Sequence, residues 1–202
     1  MKIAVILGSA RDGRLGERVS RWVMDAVAEL KETEVKLFDI TDYNLPFMRE
    51  AIPPRYNPQR DVSENVQRWL NDIAWADAYV FITPEYNRSF PAELKNAIDT
   101  IGHEGDKKPA GFVSYSATPT GGLAAQQGLR TVVNQIEMMP IQAFVTVPFA
   151  QEVFNEDGSF TDAALVSGHT PDSMLQGALE QLVWYGNVLK AGREAKKSIA
   201  VA

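Results

Sequence analysis

The chain has 202 residues, of which 45% are hydrophobic and 23% charged, a composition typical of globular proteins and sufficient for one domain with a substantial core. Twenty lysines and arginines stand against twenty-six aspartates and glutamates, and the formal net charge of -6 argues against a general binder of phosphate backbones. The absence of cysteine excludes disulfides, iron–sulfur clusters and cysteine zinc sites. Since His103 and His169 are the only histidines, sites with several imidazole ligands are excluded too, and no metal is expected.

The hydropathy pattern favours a soluble protein of a reducing, cytoplasmic compartment. The apolar run at 3–7 is too short for the core of a signal peptide, and no apolar stretch approaches the roughly 20 residues that span a bilayer. We therefore expect no membrane insertion. We also expect no nucleic-acid partner, because no basic run with interleaved aromatic residues occurs.

Short apolar runs alternate with helical periods along the chain. Residues 3–7 form a continuous run rich in β-branched side chains, as in a strand that is covered on both faces. Four further runs predict strands at 35–38, 79–83, 112–115 and 144–147. Apolar residues at helical spacing predict five helices, around 19–30, 62–73, 94–101, 123–136 and 175–183.

This alternation predicts a single α/β domain over residues 1–192, built on a parallel sheet with helices on both faces. Residues 193–202 are expected to form a flexible tail. Two segments stand outside the alternation. Residues 41–60 contain four prolines and predict a long loop of the kind that is often functional, and residues 151–169 predict a turn-rich excursion before the last helix.

The segment after the first strand has the features of an anion site. In a doubly wound sheet, ligands bind beyond the carboxyl ends of the strands, where the strand order reverses. Residues 8–16 combine glycines with the start of a helix, and Arg11 and Arg14 add forked donors that match phosphate oxygens. The Walker ending is absent, and Ala10 replaces the second glycine of the dinucleotide fingerprint. The loop therefore predicts a small phosphate site; a polar turn with solvated arginines is the alternative.

Two further loops follow strands at the same edge of the predicted sheet. Residues 84–91 combine Tyr86, Asn87 and backbone donors, which suits a planar heteroaromatic with hydrogen-bond acceptors at its rim. Residues 116–122 add hydroxyl groups and a pair of glycines, which suits close approach to the edge of a ring. Either loop alone is also explained by an ordinary turn, but three such loops at one edge favour a ligand site.

Three motifs stand in these loops and in the helix after them: Gly8-Ser9-Ala10-Arg11, Pro84-Glu85-Tyr86-Asn87 and Leu94-Lys95-Asn96-Ala97-Ile98-Asp99. On these motifs the chain resembles the NADPH-dependent FMN reductase family, in the branch that includes quinone and azo-dye reductases, from Met1 to about Val147. The resemblance implies a flavodoxin-like three-layer sandwich with a five-stranded parallel sheet, noncovalent FMN, and a homodimer or homotetramer. The sequence departs from many relatives at Thr100, where they carry tryptophan.

The resemblance also implies which residues contact the cofactor. The first loop and the helix start would hold the phosphate, the second loop would line the isoalloxazine, and the third would lie near its pyrimidine edge. The residues so implied are Ser9, Arg11, Arg14, Leu15, Gly16, Glu17, Pro84, Glu85, Tyr86, Asn87, Ser116 and Gly121.

The activity implied by the resemblance is hydride transfer from NADPH or NADH through bound FMN to a small-molecule acceptor: quinones, azo or nitroaromatic compounds, or free flavin. No acid–base pair is required, so no catalytic side chain is predicted. Tyr86, Phe90 and Pro119 are candidate walls of the ring site, and Phe47 and Met48 are a candidate lid. Two alternatives stay open: a flavodoxin-like one-electron carrier, and a non-enzymatic flavin or nucleotide sensor.

Overall fold

The computed structural model describes residues 1–168 and 170–199, so His169 lies outside the described residues. The elements are β1 Lys2–Leu7, α1 Gly16–Ala28, β2 Glu34–Asp39, α2 Glu64–Trp75, β3 Ala78–Pro84, α3 Ala92–Asp99, β4 Pro109–Tyr115, α4 Leu123–Gln135, β5 Met139–Pro140, β6 Val145–Val147, α5 Ala150–Val153, α6 Asp162–Ser167 and α7 Asp172–Ile199. Two short 3-10 helices lie in the long loop, at Ile40–Tyr43 and Pro54–Tyr56. Each strand and each helix that the sequence predicts is present.

The strands form one parallel sheet in the order β2-β1-β3-β4-β5. This is the flavodoxin-like order of a doubly wound sheet, and the predicted fold is confirmed. The fifth position is filled by two segments, because Pro109 and Ala110 pair with β5 whereas Val113 to Tyr115 pair with β6. The sequence predicts only β6, since β5 has two residues and is too short for a periodic signal.

Alternate residues of the strands face two separate cores, which explains the continuous apolar run of β1. Ile3, Val5 and Leu7 pack in the core that includes α1 and α7. Ala4 and Ile6 pack in the opposite core, which includes α2, α3 and α4. All five side chains are buried, so none of positions 3–7 is left for a polar residue; only Lys2, at the start of the strand, is exposed.

The last helix continues beyond the predicted domain end. α7 runs through Gly192 to Ile199, so residues 193–199 of the segment that the sequence predicts as a tail are helical. Arg193 donates to the carbonyl of Lys107 at 2.8 Å, and Lys190 lies 2.9 Å from the carboxylate of Asp77. These contacts attach the end of α7 to the amino-terminal edge of the sheet. The remainder of the predicted tail, 200–202, lies outside the described residues.

No helix within residues 1–168 and 170–199 has both the length and the apolar character that a membrane crossing requires.

Candidate functional site

The three loops singled out by the sequence meet at the carboxyl edge of the sheet. Their order there follows the strands, since β1, β3 and β4 are neighbours. Backbone hydrogen bonds extend the strand pairing into each loop: Gly8 donates to Ile82 at 2.9 Å, Glu85 to Tyr115 at 3.2 Å and Ser116 to Val147 at 3.2 Å. The loops therefore lie side by side at the point between β1 and β3 where the strand order reverses, the place where such sheets bind ligands.

The base of the first loop is tightly packed around Gly16. A Cβ on this glycine would lie 2.6 Å from Leu7 Cδ1, 2.7 Å from Tyr115 Oη and 2.8 Å from Ser9 Oγ. Ser9 is fully buried, and its hydroxyl lies 3.3 Å from that of Tyr115. Glycine at this position therefore lets α1 begin close against the ends of β1 and β4.

The N-terminus of α1 supplies backbone donors to the same loop. Leu15 precedes the helix, and its carbonyl accepts from the amides of Arg18 and Val19 at 3.0 and 3.2 Å. The amides of Gly16 and Glu17 come before these first helical bonds, so they belong to the group of N–H donors that a helix leaves for an outside partner. Together with the helix dipole, they favour an anion at this point.

Arg14 is largely engaged with protein groups. Its guanidinium forms a forked pair with Asp39, with Nη1 3.0 Å from Oδ1 and Nη2 against Oδ2, and it also donates to the carbonyl of Ser9. Nε lies 3.4 Å from Glu17 Oε1. The Arg14 side chain is only 9% exposed, and most of its donors face protein groups.

Arg11, in contrast, is exposed and lies beside the second loop. Its guanidinium carbon is 5.3 Å from the centre of the Tyr86 ring, within the range of a cation–π contact. This contact connects the predicted phosphate donor with the aromatic residue that is predicted to line the isoalloxazine. The two sequence motifs are thus brought into one site.

The second loop turns sharply at Asn87 and Arg88, whose φ angles are +50° and +67°. Tyr86 and Ser89 exchange backbone hydrogen bonds of 2.7 and 3.0 Å across this turn, as in the tight turns of β-hairpins. The carboxylate of Glu85 accepts from the amide of Ala124 at 3.0 Å, in the first turn of α4. Glu85 therefore connects the second loop to the helix that follows the third loop.

The third loop is held close to β6 by two glycines. Gly121 and Gly122 have φ angles of +58° and +84°. A Cβ on Gly121 would lie 2.9 Å from the backbone nitrogens of Val147 and Pro148, so the conformation and the spacing both require glycine. Ser116 Oγ lies 2.8 Å from the hydroxyl of Thr118 at the mouth of this loop. Pro84, the remaining predicted contact residue, is buried at the end of β3.

The candidate lid residues differ in their surroundings. Phe47 is 74% exposed and lines a cavity of about 370 Å³ between the first loop, the long loop and α3. Met48 is fixed through its backbone, since its amide donates to Asn96 Oδ1 at 2.9 Å. Asn96 also donates to the carbonyl of Pro46 at 2.9 Å. One side chain of α3 therefore holds the long loop on both sides of Phe47.

Two residues of the site are missing from the sequence-based prediction. Asp39 ends β2 and pairs with Arg14, and Tyr115 ends β4 and contacts Ser9. Burial raises the pKa of Tyr115 to about 12, although the hydrogen bond with Ser9 acts to lower it, so the hydroxyl keeps its proton at neutral pH. Both are polar residues at the carboxyl end of a predicted strand, and that position is the signal that could have identified them.

Comparison with known proteins identifies the family of the chain. The family model for NADPH-dependent FMN reductase matches residues 1–152. An NAD(P)H-dependent FMN reductase of Schizosaccharomyces pombe is 35% identical over 149 residues, which cover 73% of this chain and 74% of that protein. The chain belongs to the NADPH-dependent FMN reductase family, a family of oxidoreductases whose name gives FMN and NADPH as its partners.

Two further relatives extend the comparison. A quinone reductase of Pseudomonas putida is 31% identical over 166 residues, which cover 79% of this chain and 84% of that protein. Among solved structures, the flavoenzyme NAD(P)H:(acceptor) oxidoreductase FerB from Paracoccus denitrificans superposes with a TM-score of 0.72 at 27% identity, covering 92% of this chain and 97% of FerB. Among the residues that the structure describes, no group of three or more histidine, aspartate or glutamate side chains is arranged to hold a metal ion.

Proposed function

We propose that the carboxyl edge of the sheet binds FMN noncovalently, with the phosphate at the first loop and the ring beside the second and third loops. The residues present fit such a group. The exposed guanidinium of Arg11 and the N-terminus of α1 lie together on the first loop, and they complement a small phosphate. There is no room for a side chain at Gly16, because the start of α1 packs directly against Ser9 of the first loop. The juxtaposition of Arg11 with Tyr86 carries this proposal.

The individual contacts follow from the positions of the residues in the three loops. Arg11 supplies charge to the phosphate, and the amides of 15–17 supply hydrogen bonds, with Ser9 and Tyr115 as the buried floor. The 84–87 segment lines one side of the ring, with the Tyr86 side chain as its aromatic wall. Ser116 and Gly121 offer a hydroxyl and a closely approachable backbone at the other side.

We further propose the reaction class. When bound, FMN supplies hydride exchange between NAD(P)H and a two-electron acceptor. The protein's part is to bind the ring, orient it and leave one face accessible to planar partners. Quinones are the acceptor class that the named relatives favour, and azo compounds, nitroaromatic compounds and free flavin share the same planar, electron-accepting character. The proposal needs no side chain for proton transfer.

The phosphate assignment is tested with Arg11→Ala. The substitution removes a charge-assisted partner of the phosphate, so we expect the Kd for FMN to rise about tenfold or more. Titration of the apoprotein into FMN, followed by flavin fluorescence, measures this Kd.

Lys31→Ala is the matched control, because Lys31 is an exposed cation that lies between α1 and the start of β2, at the opposite edge of the sheet. It should leave the Kd unchanged. An Arg11→Ala variant that binds FMN as tightly as the control would refute the position proposed for the phosphate.

A further inference from the structure

We infer that Arg14 and Asp39 are positioning residues: their ion pair shapes the first loop for the FMN phosphate, and Arg14 does not contact the phosphate itself. The inference rests on the proposed FMN site and goes beyond it, because it assigns a role to Asp39 and changes the role of Arg14. The pair joins three parts of the structure: the first loop, the end of β2 and the first turn of α1.

The geometry leaves Arg14 few donors for a ligand. Nη1 and Nη2 form a fork with the two carboxylate oxygens of Asp39, and the guanidinium also donates to the carbonyl of Ser9. Nε faces Glu17 at 3.4 Å. The side chains of Arg14 and Asp39 are 9% and 18% exposed, so this pair is much better shielded from water than an ordinary surface ion pair.

Asp39 is in turn held firmly on its own side. It ends β2 opposite Leu7, the last residue of β1. Its Oδ1 accepts from the amide of Thr41 at 3.0 Å and from the Thr41 hydroxyl at 2.8 Å, which caps the 3-10 helix at Ile40–Tyr43. The position of the carboxylate relative to the sheet is therefore fixed. Arg14, which pairs with this carboxylate and donates to the carbonyl of Ser9, holds the backbone of the first loop in place relative to β2.

The charges of Arg14 and Asp39 also argue that Arg14 does not bind the phosphate. Burial alone would raise the pKa of Asp39, but hydrogen bonds from Arg14 and Thr41 hold it below its ordinary value. Asp39 therefore remains ionised and offsets the charge of Arg14. The exposed positive charge of residues 8–15 is then that of Arg11, next to the N-terminus of α1. Arg11 and the helix start are left as the electrostatic partners of a phosphate.

This role and a direct phosphate contact predict opposite effects of changing Asp39. If the pair positions the loop, Asp39→Asn and Arg14→Met both loosen it, and both weaken FMN binding. If Arg14 binds the phosphate, Asp39→Asn releases Arg14 from its partner, and FMN binding is retained or strengthened. Arg14→Lys separates the charge of Arg14 from its geometry, because lysine keeps the charge but lacks the fork that matches a carboxylate. If the pair positions the loop, this variant also binds FMN more weakly.

The experiment measures the Kd of the apoproteins for FMN and for riboflavin, which lacks the phosphate, by flavin fluorescence. The set contains Arg14→Met, Arg14→Lys, Asp39→Asn and the double variant Arg14→Met/Asp39→Asn. We expect each single change to raise the Kd for FMN about tenfold, and the double change to raise it no further, because the two residues act as a unit. The Kd for riboflavin should change less than about twofold, since the ring contacts are unaffected.

Lys36→Met is the control. Lys36 is an exposed lysine on β2, so its substitution removes a positive charge without touching the first loop. Asp39→Asn that leaves FMN binding intact would overturn the inference, as would equal losses for FMN and riboflavin. Arg14→Lys, the mildest change, keeps the test available if a larger change prevents folding, which far-UV circular dichroism detects. A wild-type protein that does not bind FMN would instead refute the proposed function, and this inference with it.

Discussion

At the residue scale, Gly16 is the position where a single methyl group should have the clearest effect. A Cβ at this position would come within 2.6–2.8 Å of the side chains of Leu7, Tyr115 and Ser9. All three are buried, and Leu7 and Tyr115 are the last residues of β1 and β4. We expect Gly16→Ala to lower the free energy of unfolding by about 1–3 kcal/mol, because the buried neighbours must move. Chemical denaturation of the apoprotein measures this loss. FMN binding should weaken in parallel, since the displaced groups form the floor of the first loop.

Gly177→Ala is the matched control for this prediction. Gly177 lies in α7, and a Cβ there would meet no atom within 4 Å. Alanine has the higher helix propensity, so this variant should be more stable by about 0.5–1 kcal/mol. Similar effects of the two substitutions would contradict the packing described around Gly16.

Residue types were predictable at this scale, but their partners were not. Glycine and arginine after a buried strand indicate an anion site, and Arg11 lies where that pattern suggests, beside Tyr86. The same pattern treats Arg14 as equivalent to Arg11. Only the register of β1 with β2 brings Asp39 next to Arg14, and a pairing between residues 25 positions apart leaves no periodic signal in the sequence.

At the element scale, Lys108 connects the end of α2 to the start of β4. Its ammonium group donates to the carbonyls of Ile73 and Ala74 at 3.1 and 2.9 Å, in the last turn of the helix. The residue is 8% exposed. Burial, and secondarily the charge of Arg193, lower the pKa of Lys108 to about 8.

This lowered pKa predicts a pH dependence of stability. From about pH 8 to the ordinary lysine value of 10.5, the unfolded chain holds more protons than the folded one, so the Lys108 contribution to stability increases as the pH rises. We expect the stability of the wild type relative to Lys108→Met to increase by about 2 kcal/mol between about pH 7.5 and about pH 9.5. Urea unfolding at a series of pH values measures the difference.

Lys107→Met is the control, since this neighbouring lysine is exposed. Its stability difference from the wild type should be nearly constant over the same pH range. A constant difference for Lys108→Met as well would show that Lys108 titrates alike in the folded and unfolded states, contrary to its buried position.

The elements that the sequence predicts are those with long periodic patterns. The continuous run of β1 and the stripe of α1 are recognisable because packing on a fixed face repeats over several residues. β5 and α5 have two and four residues, and they are stabilised by neighbours that are distant in the chain. The end of α7 escapes prediction for the same reason, because Arg193 is held by Asp77 and Lys107.

At the scale of the whole molecule, the protein carries a net charge of -6, but the proposed phosphate site is locally positive. Two arginines near the first loop bind protein groups instead of adding to a positive patch: Arg14 pairs with Asp39, and Arg18 donates to the carbonyl of Phe154 at 3.2 Å. The proposed phosphate site therefore depends on one exposed guanidinium and a helix start. Such a site suits a small anion and not a polyanion.

We propose a homodimer or homotetramer, in line with the family resemblance and with the large apolar side chains that remain exposed. Phe144, Trp184 and Val188 are all at least 43% exposed in the single chain. Light scattering on the eluting protein should give twice or four times the chain mass of 22.4 kDa. A mass equal to that of one chain at micromolar concentration would contradict this proposal, and it would leave the flavin site unaffected.

The most direct test of the central proposal is the absorbance spectrum of the FMN-loaded protein under anaerobic conditions. Addition of NADPH should bleach the flavin absorbance, and a subsequent addition of a benzoquinone should restore it, with repeated cycles consuming one quinone for each NADPH. A one-electron carrier would hold FMN but not be bleached by NADPH. A sensor would show no sustained NADPH consumption with quinone. A protein that takes up no FMN at all would contradict the proposed function itself.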